Sequence, residues 1–183
     1  RALPDLAGAV GAAAGAQAWA NRGVYEWNKQ TWGGRNIACG ETLTGPNATK
    51  YWYNRIEFTS PFVRMLPRPA SSTRFPNTTP YRGVVWATTT KVGCGKGTAK
   101  VSGKQCDLWV CQYDWKINEQ DQYATKVTPP MKKVAECSGR DSDLHPGAPG
   151  RSDGGSGGSA AGTLTLAEKQ AVLWQHNRYR CLH

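Results

Sequence analysis

Between Gly147 and Gly162 the chain is built almost wholly of Gly, Ser, Pro and Ala, and it then runs without a break into Leu164 to His183. That last stretch carries the strongest helical signal in the sequence. Thr165 followed by Glu168 forms a capping box, and Leu166, Val172, Leu173, His176 and Tyr179 recur at three-, four- and seven-residue intervals. An amphipathic helix behind a flexible linker has to bury its stripe on the domain that precedes the linker. It also holds His176, the one histidine in an ordered context, and no Gly or Asn follows to close its C-terminus.

With 183 residues, 39% of them hydrophobic, and eight tryptophans, the chain has enough apolar surface for one core once the linker is set aside. No run approaches the roughly 18 to 20 apolar residues that span a bilayer; Leu6 to Ala20 is interrupted by glycines and Gln17. The six cysteines show neither Cys-x-x-Cys spacing nor a Cys/His zinc pattern. An even cysteine count together with two sequons, at Asn47 and Asn77, points to an oxidising, secretory setting with the leader removed or lying outside this sequence.

A formal charge of +10 raises the question of a polyanionic partner. Lys96, Lys100 and Lys104 fall in a glycine-punctuated hairpin tip, while Arg55, Arg64, Arg68, Arg74 and Arg82 are scattered. Scatter without a block of like charge or a nucleic-acid motif argues against nucleic acid; a basic surface that serves solubility alone is the expectation, with acidic glycans or anionic lipid head groups as the second reading.

Local patterns give helices and a hairpin. Leu6 to Arg22, with small residues interleaved among Leu6, Val10, Ala13, Gln17 and Trp19, reads as a helix that packs close against a sheet, and Lys50 to Phe58 has helical aromatic spacing. Phe62 to Pro80 reads as a Pro/Arg-rich loop. Gly83 to Cys94 and Asp107 to Trp115 are β-branched and aromatic around a Gly/Lys turn, so they read as an antiparallel hairpin, and Tyr123 to Pro130 as an exit segment.

Several of these stretches are familiar together. Val84-Val-Trp-Ala-Thr-Thr-Thr-Lys-Val-Gly-Cys-Gly95 with Val110-Cys-Gln-Tyr113, Gly40-Glu-Thr-Leu43, Ala16-Gln-Ala-Trp-Ala-Asn21, Trp52-Tyr53 and His176-Asn-Arg-Tyr-Arg180 resemble the CAP superfamily of cysteine-rich secretory, antigen 5 and plant pathogenesis-related proteins. The resemblance covers nearly everything except the linker. It implies an α+β fold, a three-layer α-β-α sandwich around a twisted antiparallel sheet, and a disulfide between Cys94 and Cys111.

The order departs from the family, in which the helix bearing His-Asn-x-Tyr-Arg comes first. The expected organisation is therefore residues 1–139 as a CAP core lacking its first helix, 140–162 as linker, and 163–183 as the helix that completes a core, its own or a neighbour's. Circular permutation, an out-of-frame slice of a tandem array, or two fragments in one chain would each produce this order.

The family's cavity gathers two histidines and two acids, which bind a divalent metal in some members and have been proposed to act in proteolysis. His176 matches the first histidine and Glu41 the first acid; Pro80 stands at the second histidine and Arg55 at the second acid. Two ligands beside a fixed cation make no zinc site, so no catalytic residue, metal or cofactor is expected. His145 and His183 could substitute only from the linker and the chain end, and Glu57 reads as a surface residue. The expected remnant is a buried, hydrogen-bonded His176 and Glu41 with Arg55 neutralising Glu41, and a shallow ligand pocket that uses them is the second reading. Among Cys39, Cys106, Cys137 and Cys181 three pairings are open; Cys39–Cys181 with Cys106–Cys137 would staple the last helix and the hairpin. The function expected is a secreted, glycosylated, non-catalytic module with extracellular protein or glycan partners, or self-association. A sterol- or lipid-binding or membrane-directed defence protein is the alternative, and a metal-dependent protease the last.

Overall fold

The computed structural model describes residues 3–26, 34–59, 78–114, 122–133, 135–137 and 163–183. Its elements run β1 (Ala7–Gly8), α1 (Val10–Ala20), β2 (Arg35–Gly40), α2 (Gly45–Tyr53), a 3-10 segment (Asn54–Thr59), α3 (Thr79–Val85), β3 (Lys91–Val101), β4 (Lys104–Tyr113), α4 (Tyr123–Lys126) and α5 (Leu166–Cys181). The four strands form one sheet in the order β1-β3-β4-β2. β3 and β4 pair antiparallel through a two-residue turn in which Ser102 and Gly103 both have positive φ, 51° and 81°, matching the twist of the strands it joins. β2 pairs antiparallel with β4, so the only departure from an antiparallel sheet is β1, whose two residues pair parallel with Lys91 and Val92.

Alternation along the strands divides the molecule into layers. Leu108 and Val110 of β4 and Ile37 of β2 face α1, with Ala16, Trp19, Ala20 and Ala99. Trp109, Cys111 and Tyr113 face the other way, into a larger core with Trp52, Val84, Val85, Trp86 and Val172 from α2, α3 and α5. Helices thus cover both faces of the sheet.

Glycine on β3 decides how close α1 can come. A Cβ at Gly93 would collide with the backbone of Ala12 and Ala13, one at Gly95 would lie 2.5 Å from Gln17 Cα, and one at Gly97 2.5 Å from Ala20 O. The stripe at every second residue lets the Ala/Gly-rich helix rest directly on strand backbone. The Gln17 side chain fills the role of an edge strand, accepting from Lys96 N–H at 3.2 Å and donating to Lys96 C=O at 2.8 Å.

Several expectations need correction. Helix α1 starts at Val10, which is exposed, and Leu6 lies outside it. The stretch from Gly83 does not begin a strand: Thr79–Val85 is helix α3, with Pro80 in its first turn, and β3 starts at Lys91. Both valines are fully buried, and a short apolar run buried on all sides has no periodicity to tell helix from strand. Helix α2 begins at Gly45, five residues before the reading, where Thr44 accepts a cap hydrogen bond from Asn47 N–H and Pro46 fixes the first turn. Tyr123 to Pro130 includes a single helical turn. Lys96 lies within β3 rather than at the hairpin tip, and Leu166 is exposed rather than part of the buried stripe.

The disulfides are Cys39–Cys106, Cys94–Cys111 and Cys137–Cys181, with Cα–Cα distances of 5.6, 4.1 and 5.8 Å. The Cys39–Cys181 and Cys106–Cys137 pairings are thereby overturned. β2 was not foreseen as a strand; its register sets Cys39 opposite Leu108, beside Cys106. Cys181 ends α5 at the place where Leu182 C=O accepts from Met131 and Lys132 N–H, which brings the segment carrying Cys137 alongside.

Candidate functional site

Of the four positions that the resemblance singles out, His176 and Pro80 are joined through Tyr113 and Asn36, while Glu41 and Arg55 form no ion pair with each other. His176 is wholly buried in α5. Its Nδ1–H donates to Val172 C=O, one turn back, at 2.9 Å, with Thr49 Oγ1 at 3.4 Å. Its Nε2 accepts from Tyr113 Oη at 3.0 Å, and that oxygen accepts in turn from Asn36 Nδ2 at 2.9 Å. This chain fixes the tautomer and commits both ring nitrogens. Burial, reinforced by Arg180 and opposed by the Val172 bond, pushes its pKa down to about 4, so the ring is neutral near pH 7. Burial also pushes the Tyr113 phenol far above its usual range, keeping it a donor.

Pro80 sits in the first turn of α3, and its carbonyl accepts a second Asn36 hydrogen bond at 2.8 Å. Glu41, expected to be buried with His176, is instead exposed, because it falls in the turn after β2. Arg55 lies over the Tyr51 ring at 4.5 Å and donates to Tyr51 Oη. The expected Glu41–Arg55 neutralisation is not formed: the ion pair among the described residues is Lys96–Glu168. The reason is local, since Arg55, in the 3-10 segment, turns back onto Tyr51 in the last turn of α2. Among the described residues no three His, Cys, Asp or Glu side chains gather as metal ligands. His183 is buried too, with Nδ1 2.6 Å from Thr128 O and Nε2 3.2 Å from Tyr53 Oη. His145, Asn77 and the Gly147–Gly162 linker lie outside the described residues, as does the Glu57 side chain.

What the helix motif does is hold the fold. Asn177 clasps the Leu6 backbone, accepting from its N–H at 2.7 Å and donating to its C=O at 3.1 Å. Tyr179 stacks on Tyr53 at 3.9 Å between ring centroids. Arg180, fully buried, donates to the carbonyls of Pro4, Val84, Trp86 and Thr89 at 2.9 to 3.2 Å. Burial lowers its pKa to about 10, which still leaves it charged at neutral pH. The segment Pro4–Leu6 and the last helix are therefore side by side.

Sequence reasoning missed Asn36 and Tyr113, which share one hydrogen-bond chain with His176; a polar residue inside the short run Arg35–Gly40 gave no signal. It also missed a cleft of about 1010 Å³. Leu43, Pro46, Trp109, Ala167 and Ala171 give this cleft apolar walls, and the Lys96–Glu168 pair, 2.6 Å apart, crosses it from β3 to α5. Trp109 Nε1 donates to Leu43 C=O at 2.7 Å and fixes the rim. Gly45 makes the floor possible, because a Cβ there would collide with Val172 and Trp109.

No family model matches the sequence. The structure is similar to solved structures of the venom allergen-like protein 4 of Schistosoma mansoni (23% identity, 66% of this chain and 74% of that one, TM-score 0.49), of MpPR-1i (21%, 68% and 82%, 0.45) and of the hookworm platelet inhibitor (17%, 76% and 70%, 0.47). By its own elements the chain has an α+β fold, with helices on both faces of a mainly antiparallel sheet.

Proposed function

We propose that the protein is a secreted, glycosylated, non-catalytic CAP domain that acts as a structural or recognition module in an extracellular assembly. The observation that carries this reading is the state of His176: buried, neutral, and with both nitrogens engaged, while Glu41 lies in solvent. A ring in that state can neither ligate a metal nor exchange a proton with a substrate. Three disulfides fit an extracellular protein. Asn47 is exposed in the first turn of α2, whereas Thr49 of the same sequon is buried and donates to Gly45 C=O at 3.1 Å, so glycan transfer there has to precede folding. Permutation of the family's order is the account of the displaced helix supported by the adjacency of Leu6 and Asn177. The test is zinc content and peptidase activity of protein purified from a secretory host: substoichiometric zinc without peptidase activity is expected, and one tightly held zinc per chain would refute the reading.

The cleft supports a second reading, carriage of a sterol or other lipid, because its apolar walls are open to solvent beside the Lys96–Glu168 pair. Filling it with Ala167→Trp should abolish uptake of a fluorescent sterol if that reading is right. Equal uptake by the variant and the parent would count against it.

A further inference from the structure

We propose that Arg22, Arg35 and Trp19 form a binding site for the sulfate or carboxylate groups of an acidic glycan. This deepens the recognition reading and rests on it for the extracellular setting. The guanidinium carbons of Arg22 and Arg35 lie 4.4 and 4.8 Å from the centroid of the same Trp19 ring. The two cations are thus within about 10 Å of each other, inside one Debye length at 0.1 M salt. Burial and the neighbouring Arg22 both lower the pKa of Arg35, as expected for a cation crowded by another.

Among the described residues no carboxylate pairs with either of them, the ion pair there being Lys96–Glu168. Arg35 Nε donates to Gln112 Oε1 at 3.1 Å, which fixes the fork, but its Nη1 and the Trp19 Nε1 are buried donors without a partner among the described residues. Two planar forks held on an indole, with N–H groups unspent, match the geometry of an oxyanion rather than that of a point cation site. The disulfides place the chain where polyanions are acidic glycans rather than nucleic acids. A bilayer is a poorer fit: the exposed large apolar side chains among the described residues are Val10, Tyr51, Val101, Met131 and Leu166, and none belongs to this patch.

The experiment is calorimetric titration with a heparin tetrasaccharide, with phosphatidylserine vesicles as the parallel arm. Binding by the parent is expected to weaken about tenfold or more in Arg22→Gln/Arg35→Gln, a factor of ten being about 1.4 kcal/mol. It should weaken several-fold in Arg22→Lys/Arg35→Lys, which keeps the charge and loses the fork. Lys100→Gln/Lys104→Gln, which removes the same charge from the hairpin end, should change it less than about twofold. Should the Gln pair fail to fold by thermal unfolding, the Lys pair decides. No heparin binding by the parent, equal losses in the Arg and Lys100/Lys104 variants, no loss in the Arg variants, or binding to vesicles alone would each overturn the proposal. None of these outcomes touches the non-catalytic reading, which the zinc and peptidase measurements judge separately.

Discussion

Replacing His176 with Ala would leave Tyr113 and Val172 with unmet hydrogen bonds in a site without solvent. A loss of about 2 to 4 kcal/mol is expected, read as a lower urea midpoint, because a cavity and orphaned polar groups act together. The same residue makes stability depend on pH. Its pKa is about 4 when folded against 6.5 for the free side chain, and that of His183 is lowered likewise to about 4 by burial. Between these values the unfolded chain binds more protons than the folded one, so stability is full above about pH 6.5 and falls as pH drops toward 4. Each histidine contributes up to about 3 kcal/mol to that loss at 1.36 kcal/mol per unit. Urea midpoints between pH 4 and 7 check it, and in His176→Gln about half of the slope should vanish. Arg180 shows the same logic with the opposite charge state: four carbonyls hold the cation in the core, with Asp5 and Asp114 favouring it electrostatically.

The contact between α1 and β3 is where an element depends on having no side chains. Gly95→Ala pushes a methyl group into the Gln17 backbone and is expected to cost at least about 2 kcal/mol, as overpacking with a displaced helix does. Gly11 lies in the same helix with open space around its Cα, so Gly11→Ala should raise stability by about 0.5 to 1 kcal/mol. Equal and opposite results in the same urea series would show that the close approach has been misplaced. At the other end of the chain, Thr165→Ala should cost about 1 kcal/mol through loss of the capping box at α5. That box was legible in the sequence because its two residues are three positions apart and need no partner from elsewhere. The glycine stripe was not: Gly93, Gly95 and Gly97 read as a weak strand or a turn until α1 lies on them. Helix α3 escaped for a related reason: Pro80, Tyr81, Gly83, Val84 and Val85 are all buried, and in seven residues half-buried Thr79 and Arg82 are too few to betray a period.

For the molecule as a whole, the hairpin and the packing of the last helix could be anticipated from motifs that each lie within one segment, whereas the layers were implied only by the family resemblance. The pairing of Cys39, Cys106, Cys137 and Cys181 could not, because it depends on the register of β2 against β4 and on where α5 ends. Non-reducing peptide mapping should recover Cys39–Cys106 and Cys137–Cys181, and recovery of Cys39–Cys181 would contradict the placement of β2. The site was half legible. Pro80, Arg55 and the burial of His176 could be read from the sequence, but the exposure of Glu41 depends on the turn after β2, and the partners that engage the His176 ring depend on Tyr113 and Asn36 of neighbouring strands. The whole reading hangs on that histidine. Nitrogen-15 NMR of the His176 ring, titrated from pH 7 downward with and without zinc, should show one neutral tautomer protonated at Nδ1, no titration until about pH 4, and shifts indifferent to the metal. A ring that titrates near 6.5, or whose Nε2 shift moves on adding zinc, would mean that the site is open and the protein still capable of the chemistry denied to it here.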